Sequence, residues 1–175
     1  TSLIKPEFYF TKVNDEIYCK VDINYAIGKI TLLKDINKLS FIRDNIYEEK
    51  IVMEMEKLKF IRDDNKFKFI GEDEDIYNLL SIRFKELLKE GKVYLTKDFK
   101  DIRLIKGKDL EYSFIEEDEG YYFKVKGFTI KELNSALHDM KNKKGFYKTK
   151  NNNYLDLKDK TVIRILNILD SLDIS

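Results

Sequence analysis

A chain of 175 residues and 20.9 kDa has room for one ordinary domain or two small subdomains packed together. Its 43% hydrophobic content, with 12 Phe and 11 Tyr, supports a core that needs no disulfides, and a single cysteine with a single histidine excludes both a cystine framework and a four-ligand structural zinc site. The 33 basic and 32 acidic residues cancel to +1, so no global field drives the chain onto nucleic acid or a membrane.

The first elements alternate. Phe8 and Phe10 are two apart, and Ile17, Cys19, Val21, Ile23 and Tyr25 then occupy every second position. This period of two marks strands with one buried face. The residues Val13-Asn14-Asp15-Glu16 between the two runs supply a turn, which makes the pair a β-hairpin. Gly28 breaks the second strand, and Ile30 to Leu33 fits a short third one. From Asp44 to Leu58 the period becomes helical, with Ile46, Ile51, Met55 and Leu58 as the apolar positions. Phe67 and Phe69 mark another strand.

A longer helix follows, with Ile76, Leu79, Leu80, Arg83, Phe84, Leu87 and Leu88 in one stripe. Acidic Glu72 to Asp75 suit its positive end, Lys89 its negative end, and Gly91 stands at the C′ position. Val93 to Leu95 and Ile102 to Ile105 read as short strands. After Gly107, Leu110, Tyr112 and Phe114 alternate, Glu116 to Gly120 turns the chain, and Tyr121, Phe123 and Val125 alternate back. Thr129-Ile130-Lys131-Glu132 is a capping-box sequence opening a helix with Ile130, Leu133, Leu137 and Met140 on its apolar face. Phe146-Tyr147 and Tyr154 to Leu157 form a further hairpin around Asn151 to Asn153, and a last helix from Asp159 buries Val162, Ile165, Leu166, Leu169 and Leu172.

Tight turns between neighbouring strands argue antiparallel pairing, so the expected class is α+β, with antiparallel hairpins alternating with about four amphipathic helices. A seam near residues 106–109 divides an expected N-terminal α+β subdomain, residues 1–106, from a hairpin-helix-hairpin-helix subdomain, residues 107–175. The echo of Phe41-Ile42-Arg43-Asp44 in Phe60-Ile61-Arg62-Asp63 reads as coincidence, since one copy opens a helix and the other follows one.

No G-x-x-x-x-G-K-[ST] cradle for nucleotide phosphates occurs, and the seven glycines do not cluster. A histidine-based triad would have to use His138, which lies off the apolar face of its helix. Glu48-Glu49-Lys50 and Asp156-Leu157-Lys158 have the acid-x-Lys spacing of cation-dependent nucleases, but this composition produces about five such matches by chance. The clusters Glu72 to Asp75 and Glu116 to Glu119 lack the spacing of a calcium loop and read as helix-end charge and a hairpin tip. Cys19 sits on an apolar strand face as a buried thiol.

Of the 33 basic residues 28 are Lys, and only Arg43, Arg62, Arg83, Arg103 and Arg164 are Arg, which together with abundant Ile and Asn reads as compositional bias. The one local excess is Lys141, Lys143, Lys144, Lys148 and Lys150, interleaved with Phe146 and Tyr147. Lysines there can neutralise phosphates while exposed rings stack on bases; the same residues also suit a helix-to-strand loop with two core aromatics. No apolar run approaches the roughly 20 residues that cross a bilayer, and no signal peptide precedes the first strand, so a cytoplasmic protein without a membrane partner is expected. A start at Thr1 without Met suggests a segment of something longer.

The order and wording of these segments resemble the bacterial Swi/Snf helicase-associated family. The resemblance runs through Phe8-Tyr9-Phe10, Val21-Asp22-Ile23-Asn24-Tyr25 and Arg43-Asp44 followed by Glu48-Glu49 in the N-terminal part. In the middle it is carried by Glu74-Asp75-Ile76, Leu87-Leu88 and Gly91-Lys92-Val93-Tyr94. At the C-terminal end it is carried by Tyr122-Phe123-Lys124-Val125, the Leu133 to Leu137 helix and Tyr154-Leu155-Asp156-Leu157. It covers nearly the whole chain, though Asn151-Asn152-Asn153 replaces an expected Asp-Gly turn. The resemblance implies a non-catalytic module of a larger ATP-driven translocase or helicase. Its partners would be the ATPase motor domain of the same polypeptide and DNA. It implies no catalytic, cofactor or metal residue in these 175 positions, with ATP and Mg²⁺ bound in the parent motor. The alternative is an independent nucleic-acid-binding module that uses the Lys141–Lys150 loop.

Overall fold

The computed structural model describes residues 4–26, 28–34 and 43–172. The chain divides into two compact units, Thr1–Asp101 and Ile102–Ser175, and the fold is α+β. In the first unit, β1 (Lys5–Val13) and β2 (Glu16–Tyr25) pair antiparallel from Lys5↔Asn24 to Val13↔Glu16. Their two-residue turn is Asn14-Asp15, and Asn14 is left-handed at φ 56°, a conformation its short polar side chain tolerates. The other edge of β2 is shared. β3 (Gly28–Thr31) pairs with its C-terminal half, and β5 (Lys66–Phe69) with Tyr18 and Cys19. β4 (Phe60–Asp63) lies beyond β5, and β6 (Lys92–Leu95) adds to the free edge of β1 in parallel, completing six strands.

The alternation puts Phe8, Phe10, Cys19, Val21, Ile23 and Phe67 in the core, each at most 1% exposed. Phe10 is its aromatic centre, with ring centroids 5.0 Å from Phe84, 5.7 Å from Phe60 and 5.9 Å from Phe99. β4 is absent from the sequence reading because only Phe60 of its four residues is buried, too little to show a period. It is also the second copy of the internal echo. The first copy begins outside the described residues at Phe41 and Ile42, and its Asp44 caps α1 (Asn45–Lys57) by accepting the Tyr47 N–H. That helix buries Glu48, Ile51, Val52 and Met55. Ile46, expected on the apolar face, is 86% exposed, because five residues before Ile51 is about 140° round the helix.

The long helix is one rod in three pieces: α2 (Asp73–Asn78), a π turn over Leu79–Arg83, and α3 (Phe84–Glu90). The Phe84 N–H reaches the Leu79 carbonyl five residues back. The extra residue slips the phase of the apolar stripe, so Tyr77, Leu79 and Leu87 are buried while Leu88 is 57% exposed. Gly91 ends this helix in extended backbone at φ −166°, not in the left-handed C′ conformation. What demands glycine is proximity: a Cβ there would lie 1.9 Å from the Pro6 carbonyl oxygen.

The second unit contains a three-stranded sheet and a separate two-stranded one. β7 (Leu104–Ile105) pairs parallel with β11 (Tyr154–Asp156), so residues 102–106 belong to this unit. β8 (Tyr112–Glu117) and β9 (Gly120–Val125) form the two-stranded arm. β10 (Phe146–Lys148) pairs antiparallel with β11, and left-handed Asn152 (φ 59°) makes the turn between them. α4 (Ile130–Lys141) starts with the expected capping box: the Glu132 N–H donates to Thr129 Oγ1 at 3.1 Å, and the Thr129 N–H to Glu132 Oε1 at 3.4 Å. α5 (Lys160–Ser171) is capped by Asp159. Phe123, Val125, Leu133, Leu137, Leu155, Val162, Ile165 and Leu166 make the core between these helices and strands.

Candidate functional site

The basic segment runs from the end of α4 through β10 to the turn before β11. Lys143 is left-handed at φ 60° just past the helix, and the Lys144 N–H returns to the Asp139 carbonyl at 3.0 Å, so the helix end projects its lysines outward. Lys141, Lys143, Lys144, Lys148 and Lys150 are all exposed. Two of them form ion pairs: Lys141 Nζ bridges to Asp170 Oδ1 of α5 at 2.8 Å, and Lys144 Nζ to Asp139 Oδ1 at 3.5 Å. Lys148 Nζ lies over the Tyr154 ring at 6.0 Å, and the Lys150 N–H donates to Glu132 Oε2 at 3.4 Å. Phe146 and Tyr147 are half-buried. Phe146 packs on Tyr154 with centroids 5.4 Å apart, and Tyr147 packs against the core of the unit. The structure therefore brings five cationic side chains to one stretch, with both rings turned to the unit's own packing.

The two acid-x-Lys motifs have structural partners. Glu48 is 6% exposed and takes both Arg43 Nε, at 3.0 Å, and the Arg43 terminal nitrogen, while Tyr25 Oη also donates to it. Burial, followed by this carboxylate, pushes the Tyr25 hydroxyl up to about 12. Asp156 is buried and accepts the Lys158 N–H at 3.0 Å in a local turn. The Asp75 carboxylate accepts the Glu72 N–H at 2.8 Å, as helix-end charge should. Cys19 is fully buried, and burial pushes its thiol well above the usual range. His138 is exposed, its Nε2 3.0 Å from the Asn142 amide. Among the described residues no three His, Cys, Asp or Glu side chains converge as metal ligands, and no helix is long and apolar enough to cross a membrane.

Two features escape the sequence reading. The first is a groove of about 490 Å³ between α1 and α3, lined by Glu54, Lys57, Arg83, Glu86 and Glu90 among others. Burial, then the hydrogen bond and charge of Glu54, raise the Glu90 carboxyl to about 7, with Lys50 opposing and Glu86 reinforcing. Nothing in the local sequence marks this pair, because they are 36 residues apart on different helices. The second is the exposed aromatic surface of the β8–β9 arm. Tyr112, Phe114, Tyr121 and Tyr122 are 47%, 51%, 71% and 40% exposed, while Phe123 and Val125 at its root are buried. Adjacent Tyr121 and Tyr122 put rings on both faces of a strand, and that is the signal that could have revealed it.

The family model described as bacterial SNF2 helicase associated matches residues 2–175. No curated protein and no solved structure matches the chain.

Proposed function

The chain belongs to the bacterial SNF2 helicase-associated family, and from that premise we propose that it is a non-catalytic accessory domain of an SNF2-type ATP-dependent translocase. In this reading it positions or regulates the motor, or the nucleic acid that the motor moves. The match across residues 2–175 carries the proposal. Two observations support it. The sequence has no phosphate-binding loop, and the carboxylates of both acid-x-Lys motifs have partners within the fold. ATP and Mg²⁺ belong to the motor in this account. The test is ATP turnover by the purified chain, then by the motor with and without it. The expected results are no turnover by the chain alone and a changed nucleic-acid-dependent rate for the motor. Hydrolysis by the chain alone would reject the proposal.

A second reading is direct nucleic-acid binding through Lys141–Lys150, and the exposure of all five lysines on one stretch favours it. Because Phe146 and Tyr147 are packed inward, such binding would rest on phosphate contacts and weaken steeply with salt, without preference for unpaired bases.

A further inference from the structure

The β8–β9 arm has no third strand among the described residues. Two strands alone are marginal in water, and this pair is held at its root, where Phe123 and Val125 enter the core and Tyr112 and Phe114 lean on Phe123 at 5.6 and 5.3 Å. Outward from that root the arm keeps aromatic surface in water. Tyr112 and Phe114 continue along one face to Tyr121, which stands opposite Glu116 in the pairing, and Tyr122 lies on the other face. Exposed aromatic concentration of this kind marks an interaction surface.

The charge on the arm selects the partner. Glu116, Glu117, Asp118 and Glu119 form the tip, Lys124 is the single cation between Tyr112 and Val125, and among the described residues no ion pair reaches the four carboxylates, of which Glu117 accepts the Tyr122 hydroxyl at 3.2 Å. A polyphosphate strand would be repelled. A lysine- and arginine-rich protein face is attracted, and the rings then supply buried area at its centre. The open edges of β8 and β9 leave backbone groups for further hydrogen bonds.

We propose that the β8–β9 arm is a docking element whose exposed tyrosines and acidic tip seat on a basic face of the ATPase motor. This rests on the accessory-domain reading, which supplies the motor as partner. The test measures affinity of the 175-residue chain for the separately produced motor, using the unaltered chain, Tyr121→Ser, and a tip variant with Glu116→Gln, Glu117→Gln, Asp118→Asn and Glu119→Gln. Neither variant touches the core, and circular dichroism verifies folding. Tyr121→Ser should weaken binding about fivefold. The tip variant should weaken it about tenfold and flatten its salt dependence. Equal binding by all three chains overturns the docking role of the arm and leaves the accessory reading standing. No binding by the unaltered chain overturns both. Retention of a 20-nucleotide strand that Tyr121→Ser abolishes would make nucleic acid the partner and overturn the proposal.

Discussion

The backbone of Gly91 runs against the carbonyl of Pro6 so closely that a methyl group on Gly91 would sit 1.9 Å from that oxygen. This contact is where the long helix hands over to β6, just before β6 pairs with β1. Because the obstacle is backbone, the chain itself must move to relieve it. Gly91→Ala should therefore destabilise the first unit by about 2 kcal/mol or more, read as a lowered midpoint in chemical denaturation, with faster hydrogen exchange in β6. An unchanged midpoint would show that the two strands separate freely there.

The Arg43–Glu48 pair is sequestered, with side chains 13% and 7% exposed. Removing one member takes from the other its ion-pair partner in a sequestered site, a loss of about 3 kcal/mol, whereas an apolar pair of similar volume is close to neutral. Glu48→Leu should be strongly destabilising, and Arg43→Met combined with Glu48→Leu should recover most of the loss. A double variant no better than the single would contradict this account of the pair.

Glu90 titrates near 7 in the folded chain against 4.5 as its ordinary value. A carboxyl raised on folding helps fully below its unfolded value, and that help is lost as pH rises through the folded one. The groups facing it are Tyr47, Lys50 and Glu54 from α1 and Glu86 on its own helix. Glu90→Gln should match the unaltered chain at pH 4.5 and exceed it in thermal stability at pH 8. Solvent screening holds the difference to about 1 kcal/mol. Parallel stability profiles for the two proteins across this range would count against a shared proton.

Asp159 Oδ2 accepts the Val162 N–H at 3.2 Å and the Gly107 N–H at 3.0 Å, tying the start of α5 to the segment before the arm. Burial opposes the charge, but these backbone donors and that of Thr161 hold the carboxyl below its usual value. Its contribution is thus present above about pH 4 and disappears as acid protonates it in the folded state. Asp159→Ala should cost about 1 kcal/mol at pH 7, the ordinary worth of such a cap, and the gap should close in acid. A gap that persisted at pH 2 would rule out the ionised cap as its source.

Charge reversal at Lys143, Lys144 and Lys148 tests the second functional reading. Any nucleic-acid affinity of the chain should fall at least tenfold, with a shallower salt slope, since each lost phosphate contact removes close to one counterion. Unaltered affinity would assign binding to another surface.

Much of this was legible in the sequence, and the exceptions share a cause. Alternation located both long hairpins, and the Thr129–Glu132 box located the start of α4, because those signals are local. The parallel pairs β1–β6 and β7–β11 have no local signature, as their partners lie about 85 and 50 residues apart. The sequence marks Gly91 as a helix stop, yet its reason is Pro6, which only the folded chain brings near. The basic segment was visible as charge. The inward packing of Phe146 and Tyr147 was not, since their spacing serves a platform and a core equally well.

The parallel union of β1 with β6 also governs the order of assembly during synthesis. The β1–β2 hairpin is available as soon as residue 25 has left the ribosome, but the outer flank of β1 has no native neighbour until Lys92–Leu95 follows. At synthesis rates of about 5–20 residues per second, the nascent first unit carries an unshielded strand for several seconds. That interval is when a chaperone, or a neighbouring nascent chain, has its opportunity to bind.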